Sequence, residues 1–206
     1  MSWLAELLQI ADWGEFEAER QRLLSWKYYP ILVDVIDNLK RQALFKSHIH
    51  GEGHIERVLL NGAMLAMRHE LNEQDVSLLL DACCYHDTGR VDDSVDHAHG
   101  ARSALKLGRL TGRTGQELKM LETIVEAHSR WDGDLDEVLE QNQVEDNERA
   151  RRLALLLKDA DGLDRVRLND LDVKYLRWAS SLEQAGFAEW LFQEAKKWED
   201  SHSKRF

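Results

Sequence analysis

Two adjacent residues with metal-ligating side chains, His86 and Asp87, close an apolar segment in the stretch ACCYHDTGRVDDSVDHAHG (82–100), and Asp92, Asp93, Asp96, His97 and His99 follow them. Buried histidines and carboxylates are costly unless they are paired, hydrogen-bonded or bound to a cation. Imidazole nitrogen and carboxylate oxygen together suit zinc, manganese, iron and other divalent first-row metals. The pair therefore reads as two ligands of one ion, although a His-Asp dipeptide by itself is common by chance. Its partners decide. His54 stands near the start of the apolar run in HGEGHIERVLLNGAMLAMRHEL, with Arg57 one turn later on the same side. The segment LKDADGLDR offers Asp159, Asp161 and Asp164. At about 100° per residue Asp161 shares the stripe of Leu153 and Leu157, expected to face the core, whereas Asp159 points to the opposite face. Asp161 is the expected ligand, and Asp164, one turn on, a partner that orients one.

The elements that must position these groups read as helices throughout. Pro30 is the one proline in the chain, and apolar residues recur at three- and four-residue intervals with no convincing strand alternation. Helices are expected over 2–10 and 15–26, separated at Trp13 and Gly14, and from Pro30, a good first-turn residue, to about 45. The run after the glycine-rich segment at 51–53 is a fourth. Another spans Glu73 to His86 and is closed by Asp87, Thr88 and Gly89. Two more cover 97–110 and 114–128, split at Thr111, Gly112 and Arg113. The polar run 132–148 reads as a loop or a loosely packed helix. ERARRLALLLKDADGLDRVRL is a strong helix, and 171–200 add one or two more. Cys83 and Cys84, being adjacent, suit neither a disulfide framework nor a zinc-finger spacing, and read as small buried residues.

A chain of 206 residues, 43% of them hydrophobic, can build one substantial core. The expected organisation is all-α and one domain, 1–206, with a metal-binding core at about 48–170 and helical extensions at 1–47 and 171–206. A net charge of −11 opposes attraction to nucleic-acid polymers and anionic membranes. An anionic substrate would then need local positive charge from a metal or particular arginines. No apolar run approaches the roughly 18 residues of a membrane span, and the start MSWLAELLQIADWGEFEAER lacks the features of a secretory signal. A cytoplasmic location is the expectation. Six of the seven tryptophans fall in the two extensions, where they are expected to complete the core, with a homodimer contact as the other reading.

In order along the chain, GHIERVL, YHDTGR, HGARSA, IVEAHS and LKDADGLDR resemble the HD superfamily of metal-dependent phosphohydrolases, a resemblance covering roughly 48–170. It implies a helical HD-type bundle. It places the family's first histidine on His54, its doublet on His86 and Asp87, and its last aspartate on Asp161, together holding one divalent ion. Some branches hold a second ion, bridged by the doublet aspartate; the matching positions are His99 and His128, for which phosphate binding or helix capping is the rival reading. His97 is expected at the surface, and is the alternate to His99 if the helix begins later. His48 and His50 have little claim as ligands, though one of them can line the pocket, and His69 and His202 read as solvent-exposed.

The expected activity is hydrolysis of a phosphoester of a small molecule, nucleotides included, by metal-activated water, with one or two ions of Mn, Fe, Zn, Ni or Mg. Asp87 would sit at the reacting centre. Arg57 and Arg90 are candidate phosphate contacts, with ion pairs to acids such as Asp92 or Asp164 as the equal alternative. HDTGR is similar to the HD-x-G-K form, with Arg90 in place of lysine. The Gly-Tyr-Pro element of the cyclic-dinucleotide phosphodiesterase branch is absent. Asp92, or Asp93 beside it, is the candidate proton donor to the leaving group. Two other classes stand against this reading: a di-iron oxygenase on the same ligands, and a metal-binding module without turnover.

Overall fold

In the computed structural model, residues 2–10 and 12–203 are described, so the last three residues of the C-terminal extension, and Met1 and Ala11 of the N-terminal one, lie outside it. Among the described residues there are eleven α-helices and no strand: α1 (Trp3–Gln9), α2 (Glu17–Ser25), α3 (Tyr29–Asn38), α4 (Glu52–Arg68), α5 (Glu73–Tyr85), α6 (His99–Ala104), α7 (Leu107–Thr111), α8 (Gly115–His128), α9 (Leu135–Asn142), α10 (Asn147–Leu163) and α11 (Ala179–Ser203). The all-α expectation holds. Among the described residues no helix is long and apolar enough to cross a membrane.

The centre of the molecule is α4, α5, α8 and α10 packed on one another, with α6 against α8 and α11 against α4 and α10. Local chemistry starts these helices: Asn72 accepts a hydrogen bond from Asp75 N to cap α5, and Asp146 accepts one from Arg149 N to cap α10. Every residue of α4 from His54 to Ala66 is buried, because α1, α5, α10 and α11 cover it from several sides. The hydrophobic interior is continuous through Leu59, Leu79, Leu121, Ile124, Leu153 and Leu157. Cys83 and Cys84 are free thiols in this interior, and burial pushes both up in pKa.

Two elements are shorter than their sequence pattern, and a third is better ordered. The helix expected from Pro30 to 45 stops at Asn38, where Leu39 turns its apolar side chain inward and Lys40 N donates to Tyr85 Oη. The helix expected over 97–110 is broken into α6 and α7 at Leu105 and Lys106, and the Lys106 ammonium reaches Thr88 O. The polar run at 132–148 holds α9, which buries Leu135, Val138 and Leu139 against α8. The tryptophans of the extensions pack partly on each other: Trp13 lies 5.9 Å from Phe187 and 5.3 Å from Trp190, centroid to centroid.

Candidate metal centre

The end of α5 delivers the doublet. His86 keeps helical backbone and its N–H still bonds Ala82 O, while Thr88 Oγ1 donates to Tyr85 O and turns the chain away. His86 and Asp87 consequently face the same interior point as His54, in the first turn of α4. His54 Nε2 is 3.2 Å from His86 Nε2 and 3.5 Å from Asp87 Oδ2. From the last turn of α10, Asp161 Oδ1 comes within 3.5 Å of His54 Nε2 and 3.8 Å of His86 Nε2. This is the first half of the centre.

Two glycines allow the second half to close. A Cβ on Gly89 would meet His99 O at 2.3 Å, and one on Gly100 would meet Val125 O at 2.7 Å. Only glycine permits backbones to approach this closely. α6 therefore lies against both the turn after Asp87 and the end of α8, and His99 Nε2 sits 3.0 Å from Asp87 Oδ1 and 2.8 Å from His128 Nε2. His128 Nε2 is 3.8 Å from the same carboxylate oxygen.

The hydrogen bonds on the far side of each ring determine its tautomer. His86 Nδ1 donates to Cys83 O at 3.0 Å, His99 Nδ1 to Asp96 O, and His128 Nδ1 to Val125 O. A carbonyl can only accept, so Nδ1 carries the proton in each and Nε2 is left with a lone pair. His54 Nδ1 likewise faces Asp164 Oδ2 at 2.7 Å. Four Nε2 lone pairs and the Asp87 carboxylate thus converge, and two nitrogen acceptors 3.2 Å or 2.8 Å apart have no donor between them. Both Asp87 oxygens are buried and without a hydrogen-bond donor. That arrangement is the one a cation satisfies.

The electrostatics call for positive charge at this point. Burial holds His86 at a pKa of about 3, which favours its neutral form. Burial would raise Asp87, but positive charge on the surrounding imidazoles, His86 first and then His128, His54 and His99, outweighs it and holds the carboxyl well below its usual range; a metal ion on the Nε2 atoms would supply that charge with the imidazoles neutral. Asp161 moves in the same direction against its own burial, through His86 and His54. For His54, burial and Arg167 work downward, and the bonds to Asp164 and Asp87 bring the net shift upward. His54, His86 and Asp87 form one group with metal-ligand spacing; Asp87, His99 and His128 form another.

The HD domain family pattern matches residues 51–166, more than half of the chain. The chain belongs to the HD superfamily of metal-dependent phosphohydrolases. No curated protein and no solved structure matches it. Divalent metals are bound by HD domains, and the two groups sharing Asp87 can hold a metal here.

Other residues of the HD domain sit differently from their sequence reading. Arg57 is buried and gives Nε and Nη2 to Asp164 at 2.6 Å and 3.1 Å, which is the ion-pair alternative rather than the phosphate contact. Arg90 Nε approaches Asp87 Oδ1 to 2.8 Å without hydrogen-bond alignment, and its Nη1 donates to Ser94 O. Asp92 is exposed and turned onto Ser94 N and Oγ, which leaves its proton-donor role without a geometric basis. Asp93 bonds Ser47 Oγ at 2.6 Å and His50 Nδ1 at 2.7 Å, and the buried His50 ring lies 5.8 Å from that of His54. His97 is exposed as expected; His69 is half-buried against Trp178 and bonded to Ser180.

Asp159 corrects the helical-face argument. It is fully buried, and Arg177 holds it through Nη1 at 2.8 Å and through its backbone N–H at 2.8 Å. α10 has neighbours on several sides, so burial does not follow one stripe. Asp161 is a third exposed because it opens into an open cleft of about 640 Å³, whose wall also includes His128, Trp131, Lys158 and Tyr175. Nothing in the sequence pattern marks Trp131 or Tyr175.

Proposed function

We propose that the protein hydrolyses a phosphoester of a small molecule, with His54, His86, Asp87 and Asp161 holding one divalent ion and Asp87, His99 and His128 a second. The observation that carries this reading is the Asp87 carboxylate, whose two buried oxygens lack donors and face separate pairs of deprotonated imidazole nitrogens. A divalent ion in such a site lowers the pKa of bound water and withdraws charge from a phosphoryl oxygen. The chain's own contribution is to keep His86 neutral by burial, to fix the proton of each imidazole on Nδ1, and to hold Asp161 at the floor of the cleft where substrate enters. In the overall reaction water adds its oxygen to phosphorus, the bond from phosphorus to the ester oxygen breaks, and the alcohol departs with a proton. Arg90, whose Nε lies 2.8 Å from Asp87 Oδ1, is the guanidinium nearest the ligands, and would meet a phosphoryl oxygen by exchanging its contact with Ser94 O for the substrate.

The test is elemental analysis of protein purified without added metal or chelator, followed by phosphate release from a panel of phosphomonoesters. One or two divalent ions per chain, with release abolished by chelation, is the expected result. Two irons with oxygen uptake would move the assignment to oxidation on the same ligands. Failure to take up any metal would leave a binding module.

A further inference from the structure

The cleft over Asp161 contains two large rings that the fold does not bury. Trp131 is 69% exposed and Tyr175 is 66% exposed, and both line the cavity that also includes His128 and Asp161. Both rings stand on anchored backbone. Trp131 lies beside the His97 ring, centroids 5.6 Å apart, and His97 is tied to the end of α8 by its Nδ1 on Ser129 O at 3.1 Å and by Ser129 Oγ on its carbonyl at 2.9 Å. Tyr175 ends a short 3₁₀ turn, Val173–Tyr175, capped by Asp172. The segment between the rings and the metal ligands is braced as well: Lys158 Nζ donates to Ala127 O and Arg130 O at 3.3 Å and 2.6 Å and pairs with Asp132 at 2.7 Å.

The cations of this wall are already engaged. Arg177 is paired with Asp132 and Asp159, Lys158 with Asp132, Arg165 with Asp170, and Arg130 with Asp134 at 3.6 Å. A phosphomonoester carries about two negative charges, which the metal ligand cluster would receive. A second or third phosphate would find no unpaired cation among the described lining residues and would face a chain of net charge −11. Exposed aromatic rings on anchored backbone beside a phosphate site are what a planar ring stacks upon, and stacking tolerates different bases because each has a π-face.

We infer that Trp131 and Tyr175 are the specificity-determining residues of the cleft, and that its substrate is a phosphomonoester bearing a planar aromatic ring, such as a nucleoside monophosphate, in preference to a triphosphate. The phosphate end of this inference rests on the hydrolytic reading above; the ring end does not.

The experiment is calorimetric titration of the Mn²⁺-loaded protein with non-hydrolysable methylenephosphonate analogues of adenosine 5′-monophosphate and of ribose 5-phosphate, and with a β,γ-imido triphosphate. The adenosine monophosphonate should bind about ten-fold or more tightly than the ribose one, and no more weakly than the triphosphate. Trp131→Ala and Tyr175→Ala should each erode that preference while leaving the ribose analogue's affinity unchanged, and Trp131→Phe should keep it. Both rings are largely solvated, so truncation leaves the core intact. Equal affinity for the two monophosphonates, or a preference that survives both alanine variants, would overturn the ring platform. Tighter triphosphate binding would overturn the monoester preference. Ring-dependent binding with no phosphate released from the natural esters would keep the platform and sink hydrolysis; release without ring preference would do the reverse.

Discussion

His54 and His128 present Nε2 to opposite oxygens of one aspartate, yet what stands behind the two rings differs. Behind His54 is Asp164, 1% exposed, which also receives Arg57 Nε and Nη2 and Arg167 Nη1 at 3.3 Å. Charged groups from α4 and from the turn after α10 are thus buried together, and burial, which alone would raise Asp164, is outweighed by Arg57 and His54 so that it stays ionised. Behind His128 and His99 are only backbone carbonyls three residues earlier in the chain, Val125 O and Asp96 O. His54 in the first half is held by long-range charge, whereas His99 and His128 in the second, like His86 on Cys83 O, are held by local helix geometry. His54 is the more firmly held ring by construction, because its acceptor is itself fixed by three bonds from outside the ring it orients.

Asp87 belongs to both halves, so its loss is the largest expected effect. Asp87→Ala should strip the protein of both ions and abolish phosphate release, with helix content by circular dichroism unchanged, since its oxygens accept no hydrogen bond that the fold depends on. Full metal occupancy in that variant would break the comparison at its root. One step smaller are the paired variants Asp164→Ala and His128→Ala. Asp164→Ala leaves Arg57 and Arg167 buried without their carboxylate, and should destabilise the protein by about 3–5 kcal/mol and weaken the first ion about 10–100-fold. His128→Ala should remove the second ion alone and destabilise less, by about 1–3 kcal/mol for the orphaned Val125 carbonyl. Denaturant titration and metal analysis of the two together decide the matter: equal stability losses, or loss of both ions from His128→Ala, would show that the halves are not separately supported.

Much of this centre is visible in the residues themselves, because imidazole and carboxylate side chains at apolar positions have few reasons to be there. His54, His86, Asp87 and Asp161 are named by that logic, and His99 and His128 by resemblance; the structure brings all six together. Where the reading fails, tertiary packing is the cause. The single-stripe rule holds for a helix with one covered face, and α10 touches α4, α5, α8 and α11, so Asp159 is buried on a face that periodicity assigns to solvent. The break between α6 and α7 carries no glycine or proline to announce it; Leu105 is left exposed there. Arg57 had two readings because one-turn proximity to His54 says nothing of Asp164, 107 residues away. Trp131 and Tyr175 are silent in sequence because an exposed ring acquires meaning only from the cavity around it.

The smallest expected effect sharpens the comparison at the rim of the first half, where two adjacent aspartates have opposite surroundings. Asp92 bonds only within its own turn, to Ser94, so Asp92→Asn should leave the phosphate-release rate within about two-fold of the parent, as surface substitutions generally do. Asp93 spans 43 residues to orient His50, whose ring stands edge-to-face with His54, and it is lowered in pKa by the bonds from Ser47 and His50. Asp93→Asn replaces one carboxylate oxygen with an NH₂ donor and weakens the partner that sets the His50 tautomer, so its rate should fall further than that of Asp92→Asn while metal content is retained. Parallel rate and metal measurements on the two variants separate them. A larger loss from Asp92→Asn would restore Asp92 as the group that supplies the leaving-group proton, and would mean that the loop at 90–96 closes over substrate in a way its hydrogen bonds to Ser94 oppose.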